Sequence, residues 1–201
     1  MKKLLILLLT LVSTSAFAEI SGGVSLYSDY FFRGVSQTQG DAAIQWGLEA
    51  DKAGFYGGTW GSTVDFGGDA TIEYDFYGGY TVALDDLGID IGVIQYNYDE
   101  EVDSVEEWYA VVSYSFLSLG YWQDMDNQDL DYIEVEVSLP FIKFVDVSYR
   151  YGEFGDESSY NQIIASKDLE SGFSIGVEIV SEEEVGMDFS ERMAVNFGYS
   201  F

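Results

Sequence analysis

The reactive side chains of this sequence are nearly all carboxylates: 36 Asp and Glu stand against 8 Lys and Arg, with no His and no Cys. Glu134 and Glu136 have the look of a glycosidase pair, one acid and one base flanking a scissile bond. Two residues apart on an extended chain, however, they are neighbours in one polar stripe, and the sequence reads as non-enzymatic. Asp124, Asp126, Asp129 and Asp131 superficially resemble a calcium loop, but the Gly at its sixth position and the bidentate Glu at its twelfth are missing. No metal-ligand set and no cofactor are therefore predicted. Loose divalent binding by acidic loops, bridging to lipopolysaccharide phosphates, is the remaining expectation for metals.

Without imidazole or thiol there can be no Ser-His or Cys-His catalytic pair, no zinc finger, no haem on a proximal His and no disulfide frame. A formal charge of −28 repels phosphate backbones, so no nucleic-acid partner is expected. Nor is the chain a disordered acidic tail, since 47% of it is apolar and 17% aromatic, with 16 Tyr, 14 Phe and 4 Trp. So many carboxylates and so many rings must be kept apart by the elements that carry them.

Those elements are strands. In residues 70–82, Ala70, Ile72, Tyr74, Phe76, Gly78, Tyr80 and Val82 share one face, against Thr71, Glu73, Asp75, Tyr77, Gly79 and Thr81. Ala42, Ile44, Trp46, Leu48 and Ala50 oppose Gln45 and Glu49; Trp108, Ala110, Val112, Tyr114 and Phe116 oppose Glu107 and Tyr109. Ile133, Val135, Val137 and Leu139 oppose Glu134 and Glu136, and Val145, Val147, Tyr149 and Tyr151 oppose Asp146 and Arg150. About twelve such segments can be counted between turn signals, with ten as the alternative because the seventh and tenth are weakly patterned. They lie near 20–33, 41–51, 54–66, 69–82, 88–98, 105–116, 117–124, 130–139, 142–152, 160–168, 172–181 and 190–201. In the fifth, Ile89, Ile91 and Val93 fall on one face and Ile94, Tyr96 and Tyr98 on the other, which predicts a bulge.

Every second connection is short, as at Lys52-Ala53, Asp85-Asp86, Leu117, Pro140-Phe141 and Leu169 to Ser171. The others are mostly longer and acidic, with 66–69 a short exception. Residues 1–18 read as a secretory signal peptide, with Lys2 and Lys3, an apolar run from Leu4 to Val12 and Ala16-Phe17-Ala18 before the cleavage point. Residues 19–201 are then one domain: an all-β, up-and-down antiparallel transmembrane barrel. Alternation alone does not say which face meets lipid. Long strands, rings at strand ends and the unbroken run Met193, Val195, Phe197, Tyr199, Phe201 favour an oily exterior.

The stretches Tyr27 to Gln37, Gly40 to Gln45 and Gly54 to Phe66, extended by Glu73, Asp75, Tyr77, Gly79 and Tyr80, resemble the TorF family, also called the Gcw_chp domain. Ala42 and Asp99 stand where Pro is common in that family. The resemblance implies a bacterial outer-membrane barrel and supplies no catalytic or ligand-binding residue. The ending on Phe201 resembles the C-terminal signal of outer-membrane proteins, which implies recognition by the barrel-assembly machinery.

With the polar face inward, the predicted pore lining is Asp29, Arg33, Glu49, Glu73, Asp75, Glu107, Glu134, Glu136, Asp146, Arg150 and Glu178, with Arg192 a further possible cation. Asp29 and Arg33 are placed at the pore mouth, or else act as a structural pair anchoring a loop. Buried carboxylates in such excess need water, so a narrow wet channel for small polar or cationic solutes is expected. One alternative is a non-conducting structural or surface-interaction barrel, its interior filled by rings such as Tyr27, Phe31 and Tyr77. The other is a secreted soluble barrel binding a small apolar ligand.

Overall fold

The computed structural model describes residues 18–100, 103–127, 131–155, 158–184 and 190–201. The expected signal peptide, save Ala18, lies outside the described residues, as do Asp129 and parts of the acidic loops. Twelve long strands and one small hairpin follow in order. They are β1 (Glu19–Tyr27), the hairpin β2 (Phe31–Phe32) and β3 (Val35–Ser36), β4 (Ala43–Lys52), β5 (Phe55–Thr63), β6 (Ile72–Leu84) and β7 (Leu87–Tyr98). Then come β8 (Val105–Tyr114), β9 (Leu117–Asp124), β10 (Asp131–Ser138), β11 (Asp146–Phe154), β12 (Ser158–Asp168), β13 (Phe173–Glu184) and β14 (Ser190–Ser200). The long strands pair antiparallel, each with its neighbour in sequence, and β14 returns to β1 to close a barrel.

Closure runs from Gly23 opposite Ser200 to Tyr27 opposite Asn196, and Gly22 and Phe201 exchange backbone hydrogen bonds of 3.1 and 3.0 Å. A closed ladder leaves no strand edge, which is the condition for strands in a medium that offers no hydrogen bonds. The seventh and tenth barrel strands, weak in pattern, are fully paired on both sides as β9 and β12.

The short connections gather at one end. Between β4 and β5, Ala53 (φ 54°) and Gly54 (φ 87°) make a two-residue hairpin turn with both residues left-handed. A Cβ on Gly54 would lie 2.5 Å from the Thr81 carbonyl oxygen, so the neighbouring strand also requires glycine there. The turn expected at Pro140-Phe141 is wider: β11 begins at Asp146, not near 142. Leu139 N donates to Val147 O and Ile142 N to Leu139 O, closing a loop in which Phe141 and Phe144 are the most exposed rings.

Three further expectations are corrected. Residues 64–71 form a true loop between β5 and β6, not a short step. Asp99 shapes it by accepting hydrogen bonds from the Thr71 hydroxyl and from the Thr71 and Ile72 amides, which hold its carboxyl below the usual carboxylate range. The bulge in β7 does not exist, since its register with β6 and β8 is continuous from Leu87 to Tyr96. Ile94, Tyr96 and Tyr98 simply point inward, where Tyr96 and Tyr98 donate to carboxylates. Finally, β1 stops at Tyr27, because residues 28–42 turn into the barrel.

The outward face is oily around the whole circumference: Leu26, Ile44, Leu48, Phe76, Val93, Val112, Leu119, Ile133, Ile163, Ile179 and Val195 are all exposed. Phe55, Tyr114, Phe116, Phe141, Phe144, Phe173 and Phe201 ring the short-turn end. Such an exterior is stable against hydrocarbon, with rings at the level of an interface, and not against water. Replacing Val93, midway along β7, by Arg is therefore expected to cost about 2–4 kcal/mol of stability in a bilayer. Folding titrations into lipid vesicles measure this, and a wild-type midpoint would contradict the oily-side-out orientation.

Candidate functional site

The barrel register sends Glu49, Glu73, Asp75, Glu107, Glu134, Glu136, Asp146, Arg150, Glu178 and Arg192 to the inner face, as the alternation predicts. It adds residues that were not in the predicted pore lining: Asp90, Asp124, Tyr56, Tyr109, Trp122, Tyr132, Tyr160 and Gln162. Their signal was the same period of two, since Tyr132 lies two before Glu134 and Gln162 pairs with Arg150. Asp29 and Arg33 are not on a barrel strand, and they do not pair with each other: Asp29 bonds Ser36 and Thr38 within its own loop, and Arg33 pairs with Glu107.

Residues 28–42 fold back because their polar side chains satisfy one another. The buried Asp29 carboxylate accepts from the Ser36 hydroxyl at 2.5 Å and the Thr38 hydroxyl at 3.0 Å, while Gln37 N donates to Tyr30 O at 2.7 Å. This pins the base of the β2–β3 hairpin. At its tip Arg33 (φ 48°) and Gly34 (φ 87°) turn left-handed. Gly34 sits on the Tyr160 ring, where a Cβ would be 2.6 Å from ring carbon, so a larger residue would lift the tip away.

The hairpin leaves β1 and reaches the opposite wall. Phe31 packs on Tyr132, Tyr160 and Val180, Phe32 meets Tyr96 edge-on at 5.6 Å, and Tyr30 lies against Trp60 at 5.5 Å. Arg33 forms a two-pronged ion pair with Glu107 on β8: Nη1 donates to Oε1 at 2.8 Å and Nη2 to Oε2 at 2.6 Å. The two side chains are 12% and 6% exposed, so the pair is almost out of water. The long-loop half of the interior is thus narrowed by a polypeptide layer.

Beyond that layer the wall is a mesh of tyrosines and carboxylates. Arg150 pairs with Glu136 at 2.6 Å and with Glu134 at 3.3 Å, and Gln162 donates to Glu178 at 2.8 Å. Glu134 also accepts from Tyr132 and Tyr160, so both members of the suspected acid pair bond Arg150 and one of them two tyrosines as well. Across the barrel Tyr77 donates to Glu49 at 3.0 Å and Tyr56 to Asp90 at 2.6 Å. Glu73 accepts from Tyr30 and Tyr98, while Oδ1 of the buried Asp75 has no hydrogen-bond partner among the described residues. An open cavity of about 350 Å³ at the long-loop end is bounded by Phe32, Arg33, Tyr96, Glu107, Asp124 and Phe154. A second, of about 580 Å³ at the short-turn end, is bounded by Glu136, Lys143, Asp146, Ser148, Ile164 and Ser166. Asp124 takes part in its own turn, where its Oδ1 accepts the Asp126 and Asn127 amides at 2.8 Å.

A closed twelve-stranded antiparallel barrel, oily outside and polar inside, has the architecture of a small porin. The KdgM porin in complex with disordered oligogalacturonate aligns with a TM-score of 0.64 at 12% identity, over 90% of this chain and 98% of that one. A second structure of the KdgM porin gives 0.62 at 13% identity, over 90% and 99%. No curated protein matches the sequence. The chain belongs to the Gcw_chp family, described as a bacterial protein of unknown function, whose profile spans residues 12–198.

Because Arg33 and Glu107 are buried together, Glu107→Gln leaves a guanidinium without its counter-charge and is expected to cost about 3–5 kcal/mol. The double variant Arg33→Met/Glu107→Leu should recover most of that loss. Urea unfolding of the reconstituted barrel reads both, and a single variant as stable as wild type would mean the hairpin does not dock as described.

Proposed function

We propose that this protein is an outer-membrane channel for passive diffusion of small polar or cationic solutes. The observation that carries the reading is the inner wall: Glu49, Glu73, Asp75, Asp90, Glu107, Asp124, Glu134, Glu136 and Glu178 face a common interior with Arg33, Arg150 and Arg192 as the inward-facing arginines. A carboxylate-rich conduit concentrates cations and excludes anions. The KdgM porin's named ligand, oligogalacturonate, is a polyanion, and this wall would repel it; the shared fold does not carry the shared solute.

In this reading residues 1–18 direct export, 19–201 form the barrel, and the short turns face the periplasm. Met193, Val195, Phe197, Tyr199 and Phe201, all exposed on the outer face of the last strand, present the pattern for the barrel-assembly machinery before closure hides the strand edge. Acidic loops at the other end meet lipopolysaccharide, whose phosphates they approach through divalent cations.

The second reading, a barrel that does not conduct, is favoured by one observation: the hairpin lies across the long-loop half of the lumen. Planar-bilayer recording across a KCl gradient separates the two. The channel reading predicts currents whose reversal potential has the sign of potassium selectivity, and no block by oligogalacturonate. Chloride preference would contradict the acidic conduit, and the absence of current would favour the closed barrel.

A further inference from the structure

The Arg33 guanidinium is held as a separate ligand would be. Its two amino groups meet both oxygens of Glu107, and its central carbon lies 4.2 Å from the Tyr132 ring centroid, 4.8 Å from Phe32, 5.8 Å from Phe154 and 5.9 Å from Trp122. Tyr96 donates to Glu107 Oε2 at 3.1 Å and so fixes the carboxylate's orientation. A carboxylate fork within a ring of aromatic faces is a receptor for a planar organic cation, matching guanidinium in charge, donor geometry and flatness.

The parts of this receptor divide between two bodies. Glu107, Tyr96, Trp122, Tyr132 and Phe154 stand on β7 to β11, locked in the closed ladder. Arg33 and Phe32 stand on a hairpin with only two paired positions, Phe31 with Ser36 and Phe32 with Val35. The site also borders the open cavity of about 350 Å³ at the long-loop end, so a solute arriving from that side meets it first.

We propose that the β7 to β11 wall carries a binding site for small guanidinium-bearing solutes, and that Arg33 is its resident occupant. A guanidinium entering from the long-loop end competes with Arg33 for Glu107, and the hairpin, released, opens the lumen. The gating half of this proposal rests on the channel reading above; the site itself does not. A tethered occupant competes at an effective concentration in the millimolar range, so wild type should respond only to millimolar solute.

The test uses the full barrel in detergent, titrated calorimetrically with methylguanidinium chloride, and with methylammonium and potassium chloride at equal ionic strength. Arg33→Ala, which vacates the site, should bind methylguanidinium at least about tenfold tighter than wild type, the occupant's competition being gone. Arg33→Ala/Glu107→Gln should lose at least about tenfold of that affinity, since the charged acceptor is removed. Arg33→Gln is titrated beside them, and if neither single variant folds alone, folding is assayed with methylguanidinium present. A vacated barrel that binds no tighter than wild type, binding equal to that of potassium or methylammonium, or no recovery of folding would each overturn the site. In bilayers, current that methylguanidinium leaves unchanged while the titration succeeds would overturn the gating; no current from any variant would instead sink the channel reading and leave the site standing.

Discussion

Everything in this structure follows from the period-two alternation being locked into a closed ladder. A strand that alternates carboxylate with aliphatic or ring has two incompatible surfaces, and only closure gives each a continuous medium of its own. Once β14 pairs with β1, the oily faces form one exterior and the acidic faces one interior. The inner carboxylates then cannot be neutralised by inward lysines, because the chain has few cations to spend. They are met instead by tyrosine hydroxyls and by Arg33 and Arg150.

That shortage of positive charge also explains the position of the hairpin. A guanidinium gains most where carboxylates and rings are densest, and the far wall around Glu107 offers both. The loop after β1 is long enough to reach it and is stiffened by the Asp29, Ser36 and Thr38 hydrogen bonds at its base. The same contact that stabilises the loop therefore narrows the interior of the barrel. A single ion pair thus joins a strand of the closed wall to the small hairpin.

Much of this was legible in the sequence, because alternation, turn residues and strand spacing are local signals. Twelve strands, the facing of Glu73, Asp75, Glu107, Glu134 and Arg150, and the alternation of short and long connections all follow from windows of about ten residues. What was hidden depends on contacts distant in sequence. Tyr30, Phe31 and Phe32 have the composition of a strand continuing from Tyr27, and nothing nearby says that their partners are Trp60, Tyr132 and Tyr96. In β7 the apolar residues Ile94, Tyr96 and Tyr98 imitate a change of face, because tyrosine counts as apolar in a pattern yet serves as a hydroxyl donor inside. The family carries no described function, and the likeness to the KdgM porin is one of fold at 12% identity, so neither names a solute for this chain.

The most direct measurement of which face meets lipid exploits the absence of cysteine from the sequence. Single cysteines at Leu119 and Glu136, on opposite faces of adjacent strands, are exposed in reconstituted vesicles to a water-soluble maleimide. An oily exterior and a polar interior predict rapid modification of Glu136→Cys and protection of Leu119→Cys. The reverse result, reaction at 119 and protection at 136, would mean that the oily residues face water and the acidic wall is not a conduit.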